Sequence, residues 1–312
     1  MRVATVDIGT NTILLLVAER GADGSLRAVD ERATITRLGQ GVDRSRRLAP
    51  AAIARTRTCL EDYGRIVSGH RVSKVAIVGT SAMRDAEGGD ELREFVRVTF
   101  GVDLHVVSGE REGRLTFQGA VSGLSLDTRN EVAVFDIGGG STEVVVGRAD
   151  GDSTTLSYVE SFDVGSVRLT ERYVTHDPPT ADEVHALARA SREAFARVPW
   201  VPAAEAPVGI AGTMTTLAAV SLGLAPYDGA RVHGHVMTVG ELRHVVDDLG
   251  AMDLESRRNV LGMEPKRADV IVAGGSVALG LLDHWSAKGV VISDRGVRWG
   301  LASELLSSAE RG

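Results

Sequence analysis

The chain has 312 residues, with 35 Lys and Arg against 42 Asp and Glu, a net charge of −7 and an apolar share of 43%. This length allows two domains with separate cores, and the apolar share excludes a wholly disordered chain. The acidic balance argues against a general nucleic-acid or membrane-surface binder, and a single cysteine, Cys59, excludes an internal disulfide and fits a reducing compartment.

Arg2–Val6 reads as a strand ending at Asp7-Ile8-Gly9, and Ile13–Ala18 is a second apolar run of strand length. The basic run Arg44-Ser45-Arg46-Arg47 reads as a solvated loop. Pro50 suits the first turn of a helix over Ala51–Val67, where Ile53, Leu60, Tyr63 and Val67 lie near one face. Val75–Val78 is a strand that stops at Gly79. The loop after it carries Arg84, whose planar fork suits phosphate. Leu104–Val107 is the next strand, and Ser108–Arg114 opens a helical pattern whose first turn holds Glu110 and Glu112 as acid–base candidates.

Val132–Phe135 is a strand ending at Asp136-Ile137-Gly138. Thr180-Ala181-Asp182-Glu183 is a capping box before a helix running to about Arg197, and Thr238–Glu241 resembles another. The cluster Gly209–Thr216 sits at a strand-to-helix turn, where backbone N–H groups can face an anion. Ala273-Gly274-Gly275-Ser276 reads as a close helix contact or a turn. No secretory leader and no run of ~18 apolar residues is visible, so a cytoplasmic protein without a membrane span is expected. Strands mixed with helices in both halves predict an α/β chain.

The most informative feature is an internal repeat. Asp7-Ile8-Gly9-Thr10-Asn11-Thr12 and Asp136-Ile137-Gly138-Gly139-Gly140-Ser141-Thr142 each follow an apolar strand and lead into another. The two aspartates lie 129 residues apart, about one domain, which predicts a duplicated fold whose two hairpins face one cleft. A hairpin tip of Gly, Thr and Ser presents N–H groups and hydroxyls without a bulky side chain. The aspartate before it supplies a hard oxygen ligand, and Mg²⁺ favours one or two carboxylates with phosphate oxygens and water. Such a clamp lets an acidic protein hold a polyphosphate locally. His233-Gly234-His235 lacks a third ligand nearby, and His176-Asp177 is a lone pair that reads as loop.

Together these motifs resemble the exopolyphosphatase/guanosine pentaphosphate phosphohydrolase (Ppx/GppA) family. The resemblance rests on Asp7–Thr12, Gly79–Arg84 with Asp85-Ala86, Ser108–Arg114, Asp136–Glu143, Gly165–Thr170, Gly212–Leu217, Arg267-Ala268-Asp269 and Ala273-Gly274. It implies a duplicated actin-like fold of the sugar kinase/heat-shock chaperone/actin superfamily, ribonuclease H-like in each half. The expected domains are 1–120, with 297–312 packing back on it, and 121–296. Larger relatives carry further C-terminal helical domains, and only the two actin-like domains are expected here.

The resemblance places the catalytic glutamate at Glu112, in a segment that reads Gly109-Glu110-Arg111-Glu112-Gly113 where the family commonly has Gly-x-Glu-Glu-Ala. Arg84 matches the family's cleft arginine. Phosphate-binding residues fall on Gly9, Thr10, Asn11, Thr12, Gly138, Gly139, Ser141 and Thr142, with Gly212 and Thr213 from the third glycine cluster. Metal ligands fall on Asp7, Asp136 and Glu143, for Mg²⁺ with Mn²⁺ as the alternative. The implied reaction is hydrolysis of the terminal phosphoanhydride of inorganic polyphosphate, and the alternative is the same chemistry on guanosine pentaphosphate (pppGpp). A homodimer is expected. A sugar-kinase-like phosphotransferase and a nucleotide-switched actin-like binding protein are less favoured readings.

Overall fold

A computed structural model describes residues 1–22, 24–126, 130–150, 153–199 and 206–310. By its contacts the chain divides into two units, one formed by Met1–Gly119 with Val297–Gly312 and the other by Ala120–Gly296.

The first unit holds a five-stranded sheet of β1 (Arg2–Ile8), β2 (Thr12–Arg20), β3 (Leu26–Ile35), β4 (Lys74–Gly79) and β5 (Leu104–Val106), in the order β3-β2-β1-β4-β5. The first three strands are antiparallel neighbours, and β4 and β5 run parallel to β1. β1 is apolar on both faces because both are covered. Ala4, Val6 and Ile8 pack on Leu60, Tyr63 and Val67 of the helix Pro50–Gly69 and on Leu92 and Val96. Val3, with Leu16 and Ala18, packs on Trp299, Ala302 and Leu306 of the helix Val297–Glu310. Strand alternation puts Thr5 and Asp7 on this second face, and Thr5 Oγ1 donates to the Arg298 carbonyl at 2.9 Å. Of the expected closing helix, residues 311 and 312 lie outside the described residues.

The second unit holds a six-stranded sheet of β6 (Val132–Ile137), β7 (Thr142–Asp150), β8 (Ser153–Phe162), β9 (Val208–Ile210), β10 (Val236–Thr238) and β11 (Gly289–Ile292), in the order β10-β11-β9-β6-β7-β8. With β10 set aside as an added edge, this is the order of the first sheet, with the same directions. The duplication extends to irregularities. The β2–β3 ladder shifts register at Val17/Ala18 and the β7–β8 ladder at Val146/Gly147, each ten residues beyond its hairpin aspartate. The fold is therefore the duplicated α/β plan that the repeat predicts. The core of this unit is built around the helix Ile271–Trp285, nearly all of which is buried.

Local signals account for most element ends. Pro50 occupies the first turn of its helix, and both capping boxes form, at Thr180 with Glu183 and at Thr238 with Glu241. The helix expected to reach about Arg197 stops at Ala194. The chain turns there to bury Phe195 and Val198 in the core, and Pro199 disfavours helical backbone at the residue before it. The basic run is not wholly loop, because Val42–Ser45 forms one helical turn, with Arg44, Arg46 and Arg47 exposed.

Candidate active site

Each unit presents the same hairpin. In the first, the Gly9 N–H donates to the Thr12 carbonyl at 3.1 Å, and in the second the Gly138 N–H donates to the Ser141 carbonyl at 3.0 Å. Both turns are held from outside. The Gly39 N–H donates to the Thr10 carbonyl at 2.8 Å, and the Thr36 and Arg37 N–H groups both donate to the Asn11 carbonyl at 3.0 Å. In the second unit the Ser166 and Val167 N–H groups donate to the Gly138 and Gly139 carbonyls at 2.9 Å, and Arg168 Nε donates to the Gly140 carbonyl at 2.6 Å. With these carbonyls tied to the helix Ser166–Tyr173, its N-terminus supports the glycine turn from behind. Asn11 is buried, and its Nδ2 has no hydrogen-bond partner among the described residues. A buried amide donor in that state is costly unless an acceptor arrives, and a phosphate oxygen is such an acceptor.

The aspartates differ in their surroundings. Asp7 is buried and pairs across the ladder with Leu14 and Val78. Asp136 stands directly opposite Glu143 on the β6–β7 ladder, and Glu143 opposite Ser161 on the β7–β8 ladder. Glu143 is 1% exposed, and Ser161 Oγ donates to its Oε1 at 2.7 Å. Directly opposite residues share a sheet face with Cβ atoms ~5 Å apart, and like charges there are unfavourable. A divalent cation between the two carboxylates removes that penalty, so this donor set fits a hard metal ion. Among the described residues no group of three or more His, Cys, Asp and Glu side chains is placed to hold a metal. A hard divalent cation that takes two carboxylates with phosphate oxygens and water, as Mg²⁺ does, would suit such a pair.

Glu112 lies in the first turn of the helix Gly109–Val121, is 6% exposed, and accepts a 2.5 Å hydrogen bond from Arg84 Nη1 at its Oε2. The same Arg84 nitrogen donates to the Val107 carbonyl at 3.1 Å. Arg84 lies in the last turn of the short helix Ser81–Asp85, reached directly from β4, and the Thr80 N–H donates to the Ile8 carbonyl at 3.2 Å. Residues 80 and 84 are thereby anchored to the strand that carries Asp7. Asp7 also shares its sheet face with Val78, which packs on Leu115, three residues beyond Glu112. The first unit thus holds the Asp7–Thr12 hairpin, a buried carboxylate and the arginine that binds it, all anchored on the β1–β4 pair. Glu110 remains a surface side chain paired with Arg114.

The third glycine cluster proves to be the second unit's counterpart of the Arg84 turn. Val78 and Ile210 pair with Asp7 and Asp136 at matching ladder positions, so Gly212 and Thr213 correspond to Thr80 and Ser81. Thr213 Oγ1 donates to the Ile137 carbonyl at 3.2 Å. A Cβ on residue 212 would lie 2.0 Å from the Arg267 Cζ, so only glycine lets that guanidinium rest on the turn. Burial pulls Arg267 below the ordinary arginine value, opposed by the Glu264 charge. Ser141 and Thr142 are both buried, and the Thr142 hydroxyl donates to the Val164 carbonyl at 2.6 Å. Gly274 lies inside the helix Ile271–Trp285, against Thr213 and Ser166, where it serves as a packing contact.

The histidines stand apart. His233 Nδ1 accepts the Asp294 N–H at 3.3 Å. His176 and Asp177 act separately, the first contacting Glu183 and the second binding Arg257 at 2.7 Å. Arg168, Arg267 and Ser161 were not singled out as site residues from sequence. Arg168 and Arg267 lie within motifs that carry the resemblance, but nothing local to them signals a role. Ser161 becomes visible only once the β7–β8 register is known.

Comparison with known proteins agrees with this architecture. The model of the Ppx/GppA phosphatase family matches residues 16–309. A Mycobacterium tuberculosis protein named exopolyphosphatase 2 is 41% identical over 288 residues, covering 88% of each chain. The crystal structure of the Aquifex aeolicus member of the Ppx/GppA protein family superposes with a TM-score of 0.82 at 35% identity, covering 99% of this chain and 98% of that one. A Photobacterium profundum protein named guanosine-5'-triphosphate,3'-diphosphate pyrophosphatase is 25% identical over 97% of this chain, which spans 59% of that relative.

Proposed function

This chain belongs to the Ppx/GppA phosphatase family, and we propose that it is an exopolyphosphatase, releasing terminal orthophosphate from inorganic polyphosphate with Mg²⁺. The observation that carries the reaction type is the buried Glu112 carboxylate held by Arg84 at 2.5 Å. The relative named exopolyphosphatase 2, at 41% identity, supports the substrate.

Glu112 accepts a proton from the attacking water. The water oxygen bonds to the terminal phosphorus as the bridging P–O bond breaks, and the shortened polyphosphate leaves with that bond's electron pair. Arg84 orients the Glu112 carboxylate by a charge-assisted bond, and its positive charge would stabilise the transferred phosphoryl group. Within the first unit the Gly9–Thr12 turn, with the Thr10 and Thr12 hydroxyls and Asn11 Nδ2, would bind phosphate oxygens, and within the second the Gly138–Ser141 turn, the Ser141 hydroxyl and the Gly212-Thr213 turn would do the same. Phosphoryl transfer asks mainly for positioning and electrostatic stabilisation, which this inventory supplies. Asp136 and Glu143 are the pair that would hold Mg²⁺, which when bound would offset phosphate charge, and Asp7 is the corresponding carboxylate of the first unit. Among the described residues no helix is long and apolar enough to cross a membrane. The one cysteine is buried and free, which suits the cytoplasm.

Replacing Glu112 by Gln keeps the shape and removes the base, so turnover should fall ~10²–10⁴-fold with polyphosphate binding retained. Phosphate release measured beside equilibrium binding checks this, and unchanged turnover would remove Glu112 from the mechanism. The comparator substrate is pppGpp, whose terminal phosphoanhydride poses the same problem. Faster release from it than from polyphosphate would reverse the substrate assignment.

A further inference from the structure

We propose that the ion pair between Arg111 and Glu304 is a clamp that positions the Glu112 carboxylate, an inference that rests on Glu112 being the base. The helix Gly109–Val121 is held by the helix Val297–Glu310 at two points on one face. At the first, Gly300 lies so near Leu115 that a Cβ on residue 300 would sit 2.1 Å from the Leu115 carbonyl oxygen and 3.0 Å from its Cα. At the second, one turn earlier, both Arg111 Nη atoms donate to Glu304, Nη1 to Oε1 at 2.9 Å and Nη2 to Oε2.

Backbone contact at Leu115, whose side chain packs among Val78, Val107, Val297 and Leu301, sets how closely the helices approach. The forked bond at Arg111 adds a restraint on rotation about the helix axis one turn nearer Glu112, because a guanidinium and a carboxylate meeting at two atoms fix orientation as well as distance. Arg111 and Glu112 are consecutive and diverge by ~100° around the axis. One therefore faces Glu304 while the other faces Arg84. A carboxylate ~6 Å from the axis moves ~1 Å when the helix turns by ~10°. A displacement of that size disturbs a near-attack geometry strongly. Seating Arg111 on Glu304 also keeps a second guanidinium away from Glu112. The pair is substantially exposed, with side chains 42% and 32% accessible. Pairs so exposed add little to folding stability, so its consequence is expected in catalysis.

The test is steady-state phosphate release from polyphosphate by the full chain carrying Glu304→Gln, Arg111→Gln, or the swap Arg111→Glu with Glu304→Arg, beside Glu112→Gln. Each single change should lower kcat about 10-fold with KM within about twofold and the melting temperature within about 4 °C. The swap should recover most of the lost kcat. Single variants that keep wild-type kcat while Glu112→Gln collapses overturn the clamp and leave the base intact. Wild-type turnover in Glu112→Gln overturns the assignment of the base itself, and the clamp with it. A kcat loss that follows a large fall in melting temperature, without recovery in the swap, reduces the pair to a structural contact and also overturns the proposal.

Discussion

Asp136 and Glu143 face each other across one ladder pair, and Glu143 is almost wholly buried. Two carboxylates so placed raise the free energy of the folded chain unless a cation or donors offset them. Ser161 supplies one donor. Mg²⁺ should therefore raise the melting temperature, since a ligand that binds only the folded state stabilises it by about 2.7 kcal/mol at a hundredfold excess over Kd. Glu143→Gln removes one of the two like charges and, on the proposed reading, a metal ligand. Without metal it should melt at or above the wild type, and its Mg²⁺-dependent shift should shrink by more than half. Differential scanning fluorimetry over a Mg²⁺ titration with an EDTA control measures both, and a full wild-type response in the variant would remove Glu143 from metal binding. The hairpin register sets this carboxylate pair, while from sequence Glu143 is marked only by the family resemblance. The bond between Arg84 and Glu112 was not legible in the sequence, because residues on two different helices meet only through tertiary packing.

Among the elements, the helix Ala181–Ala194 shows how local chemistry fixes a boundary. Thr180 Oγ1 accepts the Glu183 N–H, while Glu183 accepts from the Thr180 N–H, from Thr175 and from His176. The His176 contact first, and then the Thr180 backbone bond, hold the Glu183 carboxyl well below the usual carboxylate range. A lowered folded value means that the contribution to stability is complete above the unfolded value of ~4.3 and is lost as pH falls through the folded one. Glu183→Gln should melt below the wild type at pH 7, and the gap should close as the pH drops from about 4 towards 2. A gap that stays constant through that range would show that the charge contributes nothing. Gly300 teaches the opposite lesson. No local signal marks it, yet Gly300→Ala drives a Cβ into the Leu115 backbone, which has no flexible end to move aside. Overpacking of that kind costs about 1–3 kcal/mol, readable as a lower urea midpoint. Caps, turns and strand ends were visible from sequence because their causes lie within four residues. Helix crossings such as this one were not, because the partner lies far along the chain.

At the scale of the whole molecule, the repeat of a hairpin 129 residues apart expands into two sheets of the same order, with the same register shift ten residues past each aspartate. The copies differ where chemistry differs. Leu14 stands opposite Asp7 where Glu143 stands opposite Asp136, and the buried acid Glu112 belongs to the helix that leaves the first unit. The chain departs that unit at Gly119 and returns to it at Val297. The returning helix covers β1, β2 and β4 on one face of the first sheet, burying Trp299, Ala302 and Leu306 on Val3, Leu16 and Ala18, and Val297 and Leu301 on Val78 and Leu115. A chain ended after Gly296 would expose that apolar face and unlock the Glu112 helix from both of its contacts. Fully burying an aliphatic side chain is worth about 1.5–3 kcal/mol, so losing the shelter of several such residues approaches the roughly 5–15 kcal/mol that typically stabilises a domain. Hydrogen exchange should then show lost protection in β1, β2 and β4, with protection kept in β6, β9 and β11, whose core cluster contains no residue beyond Ile292. Protection surviving in β1 and β2 of the truncated chain would mean that the first unit closes its sheet without the returning helix. Uniform loss in both sheets would mean that the two units do not fold as separate cores.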